Sequence, residues 1–240
     1  MKKQFLYLMS LALLLTACGD EKQKGNEGQV NPPVMDPAPI PQDTTVSARG
    51  NDANAKAFSD YHTGDIIFQI RDTDYAQFVG LATKSTYNHV GIIRANKKGQ
   101  FKVLEVAGSV KLTAIEEWIA QGKEGKFVVK RFNNADTFFD EMAIMNLTGV
   151  AKGVLGKKQD AYLDWSADEF YSSELVWKIF QAGIDVEVCE TQTFMDFNVG
   201  DKAVVARMKE HYGIAIPLDH RAVSPDALFN SSKLFTVFEN

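Results

Sequence analysis

Cysteine is nearly absent from this chain: 240 residues contain two, Cys18 and Cys189. The four histidines, His62, His89, His211 and His220, show no pair at helical ligand spacing and no cysteine partner, so neither a metal nor a metal cofactor is expected. Positive charge is also short, with 26 Lys and Arg against 31 Asp and Glu. Nothing forms the basic patch that nucleic acid requires. No glycine-rich phosphate loop and no dinucleotide fingerprint occurs. Nor is there a Gly-x-Ser-x-Gly elbow, because Ser172 is flanked by Phe170 and Glu174. The longest early apolar run, Phe5 to Leu15, is far below the roughly 20 residues that span a bilayer.

That run instead follows Lys2 and Lys3 and ends in Leu15-Thr16-Ala17-Cys18, the pattern of a signal peptide with a lipobox. Residues 1–17 are read as the signal and Cys18 as the lipidated new N-terminus. The expected location is a bacterial cell envelope, on the periplasmic face or cell surface, with the membrane held through that lipid. Losing Lys2 and Lys3 leaves 24 basic residues against 31 acidic, about −7. With Cys18 acylated, Cys189 is the remaining thiol and no intrachain disulfide can form.

Residues 18–55 are rich in Gly, Asn, Gln, Asp and Pro, with five of the seven prolines between Pro32 and Pro41. Such a segment buries too little apolar surface to offset the entropy of ordering it and reads as a tether. Asp20 and Glu21 fit either a sorting signal or ordinary solvated linker acids.

Residues 56–240 read as one domain of ordinary size. Periodicity predicts strands over 66–70, 89–93, 101–107, 127–132 and 234–238, with a hairpin turn at 95–99. Helices are expected over 74–84, after a Thr113 cap paired with Glu116, over 136–152, from Tyr171 to Gln181 with a stop at Gly183, and from Ser224-Pro225-Asp226. Consecutive strands followed by helices indicate an α+β domain with an antiparallel sheet. Asp65 is expected to cap the turn into its strand, Glu174 to anchor a helix, and Tyr171 either to pack or to line a site.

Two segments carry candidate chemistry: Asn88-His89-Val90-Gly91 and Tyr171-Ser172-Ser173-Glu174-Leu175-Val176. By residue type alone, a serine at a helix start is a cap and a strand histidine is structural. The order of landmarks adds more. Gly64 to Gln69, Ser85 to Gly91, Val103 to Val106, Trp118-Ile119 with Gly122, Lys126 to Arg131, Leu155-Gly156-Lys157, Tyr171 to Trp177, Ile216-Pro217 and Val223-Ser224-Pro225 together resemble the YiiX/YebB-like family. These are circularly permuted papain-fold proteins related to NlpC-type cell-wall peptidases.

The resemblance implies a permuted papain-like fold and thiol-dependent cleavage of an amide or peptide bond, with cell-wall peptides as candidate substrates. It implies that His89 is the general base, that Glu105 orients it, and that Ser172 stands where the family has a cysteine nucleophile. The family's Pro-Tyr-Asp run also departs, to Lys158-Gln159-Asp160. Three readings of Ser172 follow: a cysteine exchanged to disable or trap an enzyme, a relative that binds a cell-wall or lipid-linked amide without cleaving it, and a serine hydrolase. Acyl transfer on lipids, known among permuted relatives, is a further alternative. With serine in the cysteine's place, the chain is expected to hydrolyse amides feebly or not at all, and Ser172→Cys to restore or create thiol reactivity.

Overall fold

The computed structural model describes residues 60–96 and 98–240. The signal, Cys18 and the tether therefore lie outside the described residues, as does Lys97 at the tip of the predicted 95–99 turn. Among the described residues no helix is long and apolar enough to cross a membrane.

The first structured half is a meander: β1 (Ile66–Gln69), helix α1 (Asp74–Thr83), then β2 (His89–Ala95), β3 (Phe101–Ala107) and β4 (Ser109–Ala114). A short helix α2 (Ile115–Ala120), strand β5 (Val128–Phe132), and helices α3 (Ala135–Phe138) and α4 (Glu141–Val154) follow. The second half holds β6 (Lys158–Gln159), β7 (Glu169–Phe170), helix α5 (Ser172–Ile184), β8 (Gln192–Thr193), α6 (Lys202–Tyr212), β9 (Arg221–Ala222), α7 (Pro225–Phe229) and β10 (Leu234–Glu239). Eight strands form one sheet in the order β10-β5-β1-β2-β3-β4-β6-β7. Its pairings are antiparallel except β6 with β7.

The central strands are apolar along their length because both faces are covered. Ile66, Phe68, Val90, Ile92, Leu104 and Val106 pack with Leu175, Val176, Ile179 and Phe180 of α5. The alternate residues Ile67, Ile93, Val103 and Val129 pack with Ile115, Trp118 and Phe127. Alternation with a period of two puts Gln69, His89, Glu105 and Thr113 on this second face. At Gly91, between them, an added Cβ would lie 2.4 Å from Val103 Cγ1 and 2.8 Å from the Leu104 carbonyl oxygen. The glycine is what lets β2 and β3 approach beside the site.

Several boundaries differ from the expectations. Thr113 lies inside β4 and does not cap; Ala114 holds the cap position of α2 without a side-chain bond. The 136–152 helix is two, because Asp140 caps a fresh start by accepting from the Ala143 amide. Gly183 lies within α5, which ends at a left-handed Asp185 with φ 55°. A Cβ on Gly183 would meet Leu147 Cδ2 at 2.9 Å, so this glycine permits close packing of α5 on α4 and is no stop signal. Strand β4 and helix α6, whose buried Val204 and Met208 sit four residues apart, were not anticipated.

Candidate active site

Ser172 and His89 each begin an element, α5 and β2 respectively. The cap of α5 is Tyr171, whose amide donates to Glu174 Oε2 at 3.2 Å. The Ser172 hydroxyl is thereby left free of the capping role its position suggested. It faces His89, with Oγ 3.4 Å from Nδ1. Ser173 turns elsewhere, donating to the Val223 carbonyl at 2.7 Å. Tyr171 packs in the core, its hydroxyl accepting from the Val223 amide.

On the other side of the ring, His89 Nε2 lies 2.7 Å from Glu105 Oε2. Glu105 has no solvent exposure. Burial pulls its carboxyl up, but His89, Arg71 and Thr113 outweigh this and hold it down at about 2. An ionised carboxylate accepts only, so the hydrogen-bond partners assign the proton to Nε2 and leave the Nδ1 lone pair toward Ser172. Burial pushes the imidazole down to about 4, further lowered by the charges of Arg71 and Lys111 and partly opposed by Glu105. At neutral pH the ring is an uncharged base.

Two further residues that sequence reasoning missed complete the group. The Thr113 hydroxyl donates to Glu105 Oε1, and Arg71 Nη2 reaches Glu105 Oε2 at 3.0 Å. Arg71 is held by Asn88, whose side chain accepts from the Arg71 amide at 2.8 Å and donates to its carbonyl at 3.0 Å. Asn88 of the Asn-His-Val-Gly segment thus acts as a backbone clamp. Trp118 covers the group, with its ring 5.7 Å from that of His89 and 5.5 Å from the Arg71 guanidinium carbon. The alternation of β4 was the signal that could have placed Thr113 beside Glu105.

The remaining candidates stand apart from this cluster. Asp65 accepts from the His62 amide and pairs with Arg131 at 2.7 Å, a turn and strand anchor. Glu174 is fully buried against Lys178 at 2.5 Å, and burial pushes its carboxyl up to about 8. Cys189 is a free thiol pushed up to about 12 by burial, which makes it a poor nucleophile. A pocket of about 530 Å³ lies along α5 between Trp165, Phe170, Trp177, Lys178 and Arg221. Neither Ser172 nor His89 lines it, so it does not open on that pair.

Residues 60–238 match the permuted papain-like amidase enzymes of the YaeF/YiiX, C92 family. The uncharacterized protein YiiX of Escherichia coli K12 is 39% identical over 175 residues, covering 73% of this chain and 85% of its own. The crystal structure of YiiX from Escherichia coli O157:H7 superposes with a TM-score of 0.67 at 38% identity, covering 75% of this chain and 97% of that one. It is described as a metalloprotein. In the present chain no group of three or more His, Cys, Asp or Glu among the described residues could hold a metal ion. His89 offers one free nitrogen, and Glu105 is already engaged by His89, Arg71 and Thr113; this donor set does not fit a metal. The antiparallel sheet, the helix that opens at Ser172 after the strands, and the sequence match agree: this chain belongs to the permuted papain-like amidase family.

Proposed function

We propose that the chain hydrolyses an amide bond with Ser172 as nucleophile, His89 as general base and Glu105 as the group that orients the ring. The observation that carries this reading is the single imidazole placed between a hydroxyl on Nδ1 and a buried carboxylate on Nε2. Ser172 Oγ attacks the amide carbonyl while Nδ1 takes its proton. The same proton passes to the departing amine, leaving an acyl-serine that water hydrolyses by the reverse transfer. The first-turn amides of α5 have no intrahelical acceptor and, beside Ser172, would supply the donors for an oxyanion. Peptide stems of the cell wall are the proposed substrates.

Amine release from peptidoglycan fragments, together with labelling by a fluorophosphonate, tests the assignment. Wild type turns over and is labelled at Ser172, and Ser172→Ala loses about 10³-fold or more in rate. Turnover that survives Ser172→Ala rejects the nucleophile. A second reading, binding without cleavage, is favoured by the 3.4 Å gap between Ser172 and His89, longer than the roughly 2.8 Å of a strong hydroxyl hydrogen bond. Its signature is equal fragment binding by wild type and Ser172→Ala with turnover in neither; Ser172→Cys then acquires thiol-probe labelling if the pocket is intact.

We also propose that the mature chain begins at acylated Cys18 and works at the bacterial envelope, on the strength of Lys2, Lys3, the apolar run and Leu15-Thr16-Ala17-Cys18. Cys18→Ala should move the protein from the membrane to the soluble fraction. Unchanged membrane retention rejects the lipid anchor.

A further inference from the structure

A buried carboxylate bonded to a histidine ordinarily favours the imidazolium, because the opposite charge stabilises the protonated ring. Here the same oxygen, Glu105 Oε2, faces both His89 Nε2 at 2.7 Å and Arg71 Nη2 at 3.0 Å. The guanidinium supplies the positive charge that a protonated ring would otherwise supply. Its place is built and not incidental. Arg71 is 6% exposed, its backbone is clamped at two points by Asn88, and its guanidinium lies beside Trp118.

The other charges near the ring act in the same sense. Lys111 stands opposite Glu105 in the β3–β4 register and disfavours a charged His89. From α2 the neighbour is the uncharged Trp118, and from α5 it is the uncharged Ser172. Glu174, the acid in the first turn of α5, is engaged by Lys178 and the Tyr171 amide.

We propose that Arg71 is a positioning residue which, by occupying and neutralising Glu105, keeps His89 an uncharged base suited to a serine hydroxyl rather than the imidazolium partner of a thiolate. This rests on the serine-nucleophile reading above. A hydroxyl needs a free imidazole lone pair to receive its proton during attack, whereas an activated thiol is already a thiolate stabilised by a neighbouring cation. Arg71 contacts neither of the reacting atoms and works through the carboxylate. Burial is the largest cause of the low position of the His89 imidazole, about 4, and the Arg71 charge lowers it further against the pull of Glu105.

The test is an NMR titration of the His89 ring in the full chain, alongside the pH profile of amide hydrolysis. Wild type is compared with Arg71→Met, Arg71→Gln, which keeps a donor without the charge, and Arg71→Lys. Removing the charge should raise the His89 midpoint by about one pH unit or more, with the acid limb of the rate following it. Arg71→Lys should restore the midpoint to within a few tenths. A folded Met or Gln variant with an unmoved midpoint overturns the proposal, as does a Lys variant shifted as far as the Gln variant. If wild type and every variant lack hydrolysis, the serine-nucleophile reading fails, while the ring titration still decides the role of Arg71.

Discussion

The two sides of the His89 ring are built differently. Nε2 meets a carboxylate at 2.7 Å that is itself held by Arg71 and Thr113, all within the sheet and its adjoining turn. Nδ1 meets Ser172 across 3.4 Å, on a helix that reaches the ring from another part of the chain. The contrast separates two tasks. The sheet side fixes the tautomer and direction of the base, and strand register makes that placement rigid. The helix side delivers the proposed nucleophile, whose hydrogen bond is longer, as such contacts often are before substrate tightens them.

The comparison can be broken first at Glu105. Glu105→Gln keeps the shape but presents an amide that can donate to Nε2 and reverse the tautomer, turning the lone pair away from Ser172. Amide hydrolysis should fall by about 10³ to 10⁴-fold, measured as kcat/KM, while Ser172 and His89 remain in place. A loss below tenfold would mean that the tight side does not set the direction of the base.

The acid limb sharpens the comparison with a smaller effect. Because His89 sits at about 4, kcat/KM should stay level from neutral pH to about pH 5, then fall toward tenfold per unit below about 4. A limb near 6.5, the ordinary histidine value, would mean the sheet side leaves the ring unperturbed. The sign for stability runs the same way. A ring kept neutral in the fold but free to protonate near 6.5 when unfolded contributes stability above 6.5, which is lost as pH falls toward 4. Glu174, pushed up to about 8, acts in the opposite direction over the same interval, so the His89 contribution is read as the difference between wild type and His89→Gln. A difference that does not change between about pH 6.5 and about pH 4 would contradict the depressed imidazole.

Much of the scaffold was legible in the residues. Strand β3 and the start of α1 appear where alternation and helical spacing put them, and α7 begins at the Ser224 cap with Pro225 in its first turn. These signals are local, written within a few residues by side-chain period and capping chemistry. Thr113 shows the limit. Its spacing to Glu116 suited a capping box, yet β4 pairs with β3 through it and its hydroxyl goes to Glu105. Gly183 shows the same limit: as a residue type it reads as a helix end, and only the closeness of Leu147 reveals a packing contact. Helix α6 was hidden because its buried face is narrow, Val204 and Met208 amid charged neighbours.

By itself the sequence determined the order of the main strands and helices, the Ser172 helix start downstream of the His89 strand, and the family to which that order belongs. Ser172, His89 and Glu105 could be named from it only through the resemblance to the family, since a serine at a helix start and a histidine in a strand are by themselves structural. Their distances, the Asn88 clamp, and the meeting of Arg71 and Thr113 on one carboxylate were decided by the tertiary structure alone. The physical reason is that a hydrogen bond between separate elements depends on register and approach. These are set by how two apolar faces of one sheet are covered, and no single segment encodes them.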